Sequence, residues 1–350
     1  MQRWGASLLM TVTVSACAAT TPSTPLAEEN LVVLNAGDAT LSIFTLSQPD
    51  ASRLIQLGNI GGTPVSLAAR NTHGLVTSGA GSSVALVDLS PARSVVVYRL
   101  ATGAGAFGAA FVNDTLAYIT NTLSDRATRL NLRTGDTVSV AVGHTPTGVT
   151  VTRGRVYVAN ANLDSPCAGP LPCVKGPSWL TVIDPDHNEV LDSIPLPGPG
   201  NASSILVGPD GLIYVMSSGT GGSDPGRLSI VDPVLRQEVG SFAGFGQLPG
   251  RMASDGRERL FIISPSQGLM EFNTRTRRVV RGAGAGIPLL NGVAAAVDAN
   301  AQVYAVESGP CAAGAPGRVR AFRPDLTEAH VMPTGICSAD AAVVNLPPAP

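Results

Sequence analysis

No run of basic residues interrupts this sequence, and charge of either sign is thin. Charged residues make up 14% of the 350, with 23 Lys plus Arg against 25 Asp plus Glu. That near-balance, without a basic cluster, excludes a nucleic-acid surface. Histidine is scarce as well. His73 and His187 fall in turns, His144 in a loop on the other side of the repeat and His330 in an outer strand, so the four share no metal site. The cysteines carry no CxxC or His-rich spacing, which argues against structural zinc. A Gly-x-Ser-x-Gly elbow, a phosphate-binding glycine loop and a CxxCH haem motif are all missing. The glycine-rich stretch 219–226 lacks a following Lys-Ser/Thr and reads as a loop. Asp184, Asp186, Glu189 and Asp192 are close in sequence but read as turn caps and solvated strand positions rather than a calcium site. The chain therefore predicts no metal and no cofactor.

Long apolar runs are absent too. The stretch from Gly5 to Val14 is too brief to remain as a membrane span. Preceded by Arg3 and followed by Val14-Ser15-Ala16-Cys17, it reads as an export signal. The last four residues resemble the bacterial lipobox, which implies lipidation of Cys17. Ordinary signal cleavage at the small residues around Ala16 and Ala18 is the alternative reading. Diacylglycerol plus an added acyl chain on Cys17 would anchor the protein stably, where one chain would not. Ala18 after the cysteine favours, by the habit of such proteins, the outer membrane of a bacterial envelope. The expected organisation is a signal and lipobox over 1–17, a Thr/Pro/Ala tether over 18–29, one domain over 30–345 and a short tail over 346–350.

What is present in abundance is short β-type runs. Hydrophobic residues reach 44%, enough for a large core, and 39 Gly with 27 Pro are scattered at turn positions. The segment Pro146–Gly198 holds four runs rich in Val, Ile and Tyr: PTGVTV, RVYVAN, WLTVID and EVLDSIPL. The second run recurs with centres at Val32, Leu75, Tyr118, Tyr157, Tyr214, Phe261 and Tyr304. Spacing near 40 to 50 residues with four strands per unit defines propeller blades. First strands such as FGAAFV and GVAAAV are rich in Ala and Gly, as crowding toward a central axis requires. The chain opens on a second strand, Leu31–Asn35, and closes on a lone first strand, Ala339–Val344. The last strand is thus predicted to become the innermost strand of the first blade, sealing a seven-bladed, all-β ring.

The runs LAYITN, RVYVAN, LTVIDPDHNEVLDSIPL and GPDGLIYV resemble the YVTN-type β-propeller repeat of bacterial envelope proteins. The resemblance covers nearly all of 30–345, and is weak at Leu75 and Phe261. It implies the fold and an extracytoplasmic setting, and no single activity.

Three inserts, at 162–178, 217–226 and 308–317, all join a second strand to a third and so extend one face of the ring. Long loops on a rigid ring are common binding elements, although neutral drift in solvated loops would leave the same pattern. In an exported protein the four remaining cysteines are expected to pair. Sequence permits three pairings; loop geometry predicts Cys311–Cys337 beside the closure point and Cys167–Cys173 as a clip of the longest insert. Near the axis the innermost strands offer Ser66, Ala109, Gly148, Ser204, Arg251, Ala294 and Ala341, with Asp340 adjacent. Arg251 and Asp340 form a candidate axial site for a polar or anionic ligand, or equally a structural pair inside the channel. The leading expectation is a lipid-anchored, non-catalytic scaffold that binds a protein or other ligand through the insert-bearing face. The alternatives are a propeller enzyme, a lactonase-like hydrolase or lyase working at the axial mouth, and an accessory subunit of a redox complex.

Overall fold

The computed structural model describes Met1 and residues 27–164, 172–222 and 225–347. Cys17 and its lipobox, and with Cys167 the proposed Cys167–Cys173 clip, lie outside the described residues.

Seven four-stranded antiparallel sheets form the ring. Blade 1 consists, from the axis outward, of Ser338–Leu346, Glu28–Asn35, Thr40–Thr45 and Ser52–Gln56. Blades 2 to 7 follow in chain order, each running outward from its innermost strand. Those strands are Ser66–Arg70, Ala106–Asn113, Pro146–Thr152, Ala202–Val207, Met252–Ser254 and Gly292–Val297. The ring closes as the repeat predicts: Leu31 pairs with Val343 and Val33 with Ala341 in one antiparallel ladder. The ladder also takes in Glu28 opposite Leu346, so pairing extends beyond the limits set from the repeat at both ends.

Each second strand is buried along its length because it is covered on both sides. Side chains alternate across a strand, and here both faces meet a neighbouring blade. Leu31 and Val33 pack with Ala294, Tyr304 and Val306 of blade 7. Val32 and Leu34, the intervening residues, pack with Leu67, Val76 and Val87 of blade 2. The apolar runs are therefore continuous rather than alternating. Outer strands meet solvent on one side, and their burial falls accordingly, as in Val95–Arg99.

The polar residue ending several second strands does more than terminate the strand. Asn160 is fully buried; its amide donates to Thr181 Oγ1 at 3.0 Å and to the Trp179 carbonyl at 3.1 Å, and its oxygen accepts the Gly143 N–H at 2.9 Å. Asn35 makes the equivalent bonds to Thr40 and Ser42, and accepts from Gly335 across the closure seam. Hydroxyls tie neighbouring blades at the hub. Thr77 donates to the Phe107 carbonyl, Thr120 to Thr147 and Thr147 to Ala202, at 2.5 to 2.6 Å. Crowding there is severe: a Cβ on Gly108 would sit 2.3 Å from the Thr147 carbonyl oxygen. This is the physical reason for the small residues of the innermost strands.

Candidate functional site: the axial mouth

The innermost strands do not run smoothly to the axis. Five of them carry an irregularity at the end nearest the inserts. Ladder pairing steps from Ala202 to Ser204, from Gly292 to Ala294, from Asp340 to Ser338, from Ala106 to Ala109 and from Pro146 to Val149. A bulge leaves its extra residue unpaired and re-aims the side chain. The residues left over include Phe107, Ser203, Val293 and Ala339, and all four line one cavity of about 490 Å³ at the axis. Leu248, Pro249, Ile263 and Pro265 complete an apolar wall; Asn201, Ser218, Ser308 and Ser338 add polar atoms. This volume lies within the range of small-molecule sites. The cavity opens on the insert-bearing face, since the ends of the second strands at Ser218 and Ser308 line it.

Arg251 forms the floor. It lines both this mouth and a second, narrower cavity of about 160 Å³ deeper in the channel, bordered by Ser66, Ala109, Gly148 and Ser204. From blade 6 its guanidinium reaches across the axis. Nη1 pairs with Asp340 Oδ2 of blade 1 at 3.0 Å, and Nη2 donates to the Val65 carbonyl at the entry to blade 2 at 2.9 Å. The side chain of Asp340 is 8% exposed and that of Arg251 31%, so the carboxylate is sealed behind the guanidinium. Burial pushes the Asp340 carboxyl above the ordinary aspartate value. Against burial act the Arg251 charge and the N–H groups of Leu67 and Ala341, at 2.8 and 3.0 Å.

The two sequence candidates are thus in contact and on the axis. Of the other expected axial positions, Ser66, Ala109, Gly148 and Ser204 line the inner cavity, but Ala294 and Ala341 do not. Both pack into the core between blades 7 and 1, while the bulge residues Val293 and Ala339 line the mouth. Phe107, Ser203, Val293 and Ala339 line the candidate site and were passed over by strand alignment. The available signal was a one-residue excess of the innermost strand over its partner.

A disulfide joins Cys311 to Cys337, whose Cα atoms are 4.4 Å apart. Both line the mouth. The bridge ties the blade 7 insert to the single residue that leads from the outermost strand of blade 7, Glu328–Ile336, into the closing strand. His144, on the insert side, is hydrogen-bonded to Asp125 at 2.7 Å and stands 3.4 Å from Lys175 Nζ. Asp184 caps its own turn through the Asp186 N–H at 3.0 Å. Among the described residues no group of three or more His, Cys, Asp or Glu is placed to hold a metal ion. Nor is any helix among them long and apolar enough to cross a membrane.

Fold and site together define a seven-bladed β-propeller with a bulge-lined mouth floored by an ion pair. No protein-family model matches the chain, and no curated protein does. Solved structures share the fold at low identity. A functionally unknown protein from Desulfotomaculum acetoxidans DSM 771 aligns over 91% of this chain and 99% of its own, at 14% identity and TM-score 0.66. Apo AztD from Citrobacter koseri aligns over 91% and 99%, at 12% identity and TM-score 0.58. Virginiamycin B lyase from Staphylococcus aureus aligns over 88% and 89%, at 13% identity and TM-score 0.59. The chain is thereby a distant structural relative of several bacterial propellers.

Proposed function

We propose that this protein is an exported, lipid-anchored binding scaffold of the bacterial envelope that engages its ligand or partner through the insert-bearing face, centred on the axial mouth. The observation that carries the reading is the coincidence on one face of the cavity, the disulfide and all three long inserts. A rigid ring holding variable loops around a concavity is the usual arrangement of a binding site.

Anchoring at Cys17 suits this polarity. The strand Glu28–Asn35 enters from the hairpin face, where Glu29 accepts the Ala299 N–H of the blade 7 hairpin at 3.0 Å. A tether from Cys17 to Ala27 reaches at most about 35 Å when fully extended. It would hold the hairpin face toward the membrane and turn the mouth away from it. Replacing the inserts at 164–173 and 219–225 by short turns tests the face. A partner captured by the whole protein from detergent-solubilised envelopes should be lost by the trimmed form, and undiminished capture would refute the assignment. Mass spectrometry of the membrane-extracted protein tests the anchor through the diacylglyceryl mass on a chain beginning at Cys17.

A second reading is an enzyme acting at the same mouth, a hydrolase or lyase for a lactone or cyclic ester. Its support is that Arg251 borders both axial cavities. Turnover of such an ester that disappears in Arg251→Ala would establish it; absence of turnover by the intact protein across a lactone panel would remove it.

A further inference from the structure

The chemistry of the mouth restricts what it can hold. Among the described residues, Arg251 is the only charged one lining either axial cavity, and its charge is already matched by the buried Asp340. The site as a whole is electrically neutral. A net anion or cation entering it would lose hydration with no unmatched counter-charge to meet it.

The hydrogen-bond donors in the same place are unequally committed. The lining hydroxyl protons are directed at protein acceptors. Ser218 donates to the Pro249 carbonyl and lies 2.6 Å from the Ser203 hydroxyl, Ser203 is within reach of the Met216 carbonyl, and Ser308 donates to the Gly309 carbonyl and Ser338 to Asn35. Arg251, by contrast, has five N–H donors, and its interactions are with Asp340 and Val65. The Asn201 amide spends one hydrogen on the Gly219 carbonyl at 3.1 Å. Arg251 is thus the charged donor of the mouth, within walls made apolar by Phe107, Val293, Leu248 and Ile263, while the serine oxygens keep lone pairs as neutral acceptors.

We propose that the axial mouth binds an uncharged, largely apolar small molecule bearing a carbonyl-type acceptor (an ester, lactone or ketone), with that oxygen seated on the Arg251 guanidinium and its apolar body against the bulged side chains. The inference rests on the reading of the insert-bearing face as the binding face, and narrows the axial candidate from a polar or anionic ligand to a neutral acceptor. Val293 and Phe107 supply the apolar contact because their bulges aim them there; Asp340 is a positioning residue that fixes the guanidinium across the axis.

Four probes of one shape test it on the full chain: methyl 3-phenylpropanoate, 3-phenylpropanoate, 3-phenylpropylammonium and propylbenzene. Binding is read by saturation-transfer NMR and by the shift of the Arg251 Nε–H resonance. The ester should bind about tenfold more tightly than the hydrocarbon, from one hydrogen bond to a charged donor, and more tightly than either ion. Arg251→Met combined with Asp340→Asn removes both charges without stranding a buried carboxylate, and should reduce the ester to the affinity of the hydrocarbon. Tighter binding of the anion, equal binding of ester and hydrocarbon, or ester affinity unchanged in the double variant would each overturn the proposal. So would no detectable binding of any probe. The insert-trimming experiment is independent of these probes, so loss of partner capture there alongside a negative result here would sink the ligand class alone.

Discussion

Replacing Arg251 by Met should destabilise the protein in a strongly pH-dependent way. The substitution keeps much of the apolar stem and deletes the guanidinium, leaving the 8%-exposed Asp340 carboxylate without its 3.0 Å partner. Breaking a buried pair from one side costs about 3–5 kcal/mol when the remaining group is charged. The lost bond to the Val65 carbonyl adds about 1 kcal/mol at any pH. The sign follows from the direction of the Asp340 shift. Its folded value is raised above the ordinary 3.8, so stability is fully favoured below that value and falls as pH rises through the folded pKa. Removing Arg251 takes away a group that holds the value down, which lifts it further and deepens the fall. Relative to wild type, Arg251→Met should therefore cost about 1 kcal/mol at pH 3.5, where Asp340 is protonated in both proteins. At pH 7 the cost should reach about 4–6 kcal/mol, the sum of the two contributions. Urea unfolding followed by Trp179 fluorescence and far-UV circular dichroism at both pH values measures the difference. Adding Asp340→Asn should flatten it. A penalty equal at the two pH values, or larger in acid, would show that Asp340 is not the group Arg251 compensates.

Other consequences follow from the packing. Cys311 and Cys337 close a loop with a sequence separation of 26, so replacing both by Ser should cost about 3.5 kcal/mol by loop entropy, read as a lower urea midpoint. Asn160→Ala removes the donors to Thr181 and Trp179 and orphans the Gly143 N–H, with a cost of about 2–4 kcal/mol and expected loss of amide-exchange protection at Gly143. Burial raises the Tyr118 hydroxyl to about 12 and those of Tyr214 and Tyr304 further, so an ultraviolet phenolate titration should leave at least three tyrosines un-ionised past pH 11 until the chain unfolds. Gly268 adopts φ +74°, and a Cβ there would lie 2.0 Å from the Ile287 carbonyl oxygen. Gly268→Ala should therefore cost at least about 2 kcal/mol, and unchanged thermal stability would refute the close approach.

Much of the ring was legible in the chain itself. Seven Val-, Ile- and Tyr-rich runs at near-constant spacing, each followed by a turn, determine four-stranded blades because strand propensity and turn chemistry are local properties. The missing first strand at one end and the spare one at the other fix the closure, since an unpaired edge at either end would be costly. The pairing of Cys311 with Cys337 followed from the same register, as did the placement of Arg251 and Asp340 at the hub.

What the tertiary structure alone decided is where each hub side chain points. Ala294 aligns with Ser204, each directly after a bulge, yet Ala294 packs between blades 7 and 1 while Ser204 lines the inner cavity, and Ala341 joins the same core. The close approach of neighbouring blades at the hub, as at Gly108 against Thr147, is a distance that only the closed ring sets. The buried asparagines are a second case. Asn160 read as a strand end, and became a pin only when the third strand and the preceding blade's exit were brought within 3 Å of its amide. Composition and period determine a circle of seven sheets; the floor and walls of its mouth arise from long-range contacts at the axis, which no local stretch of sequence encodes.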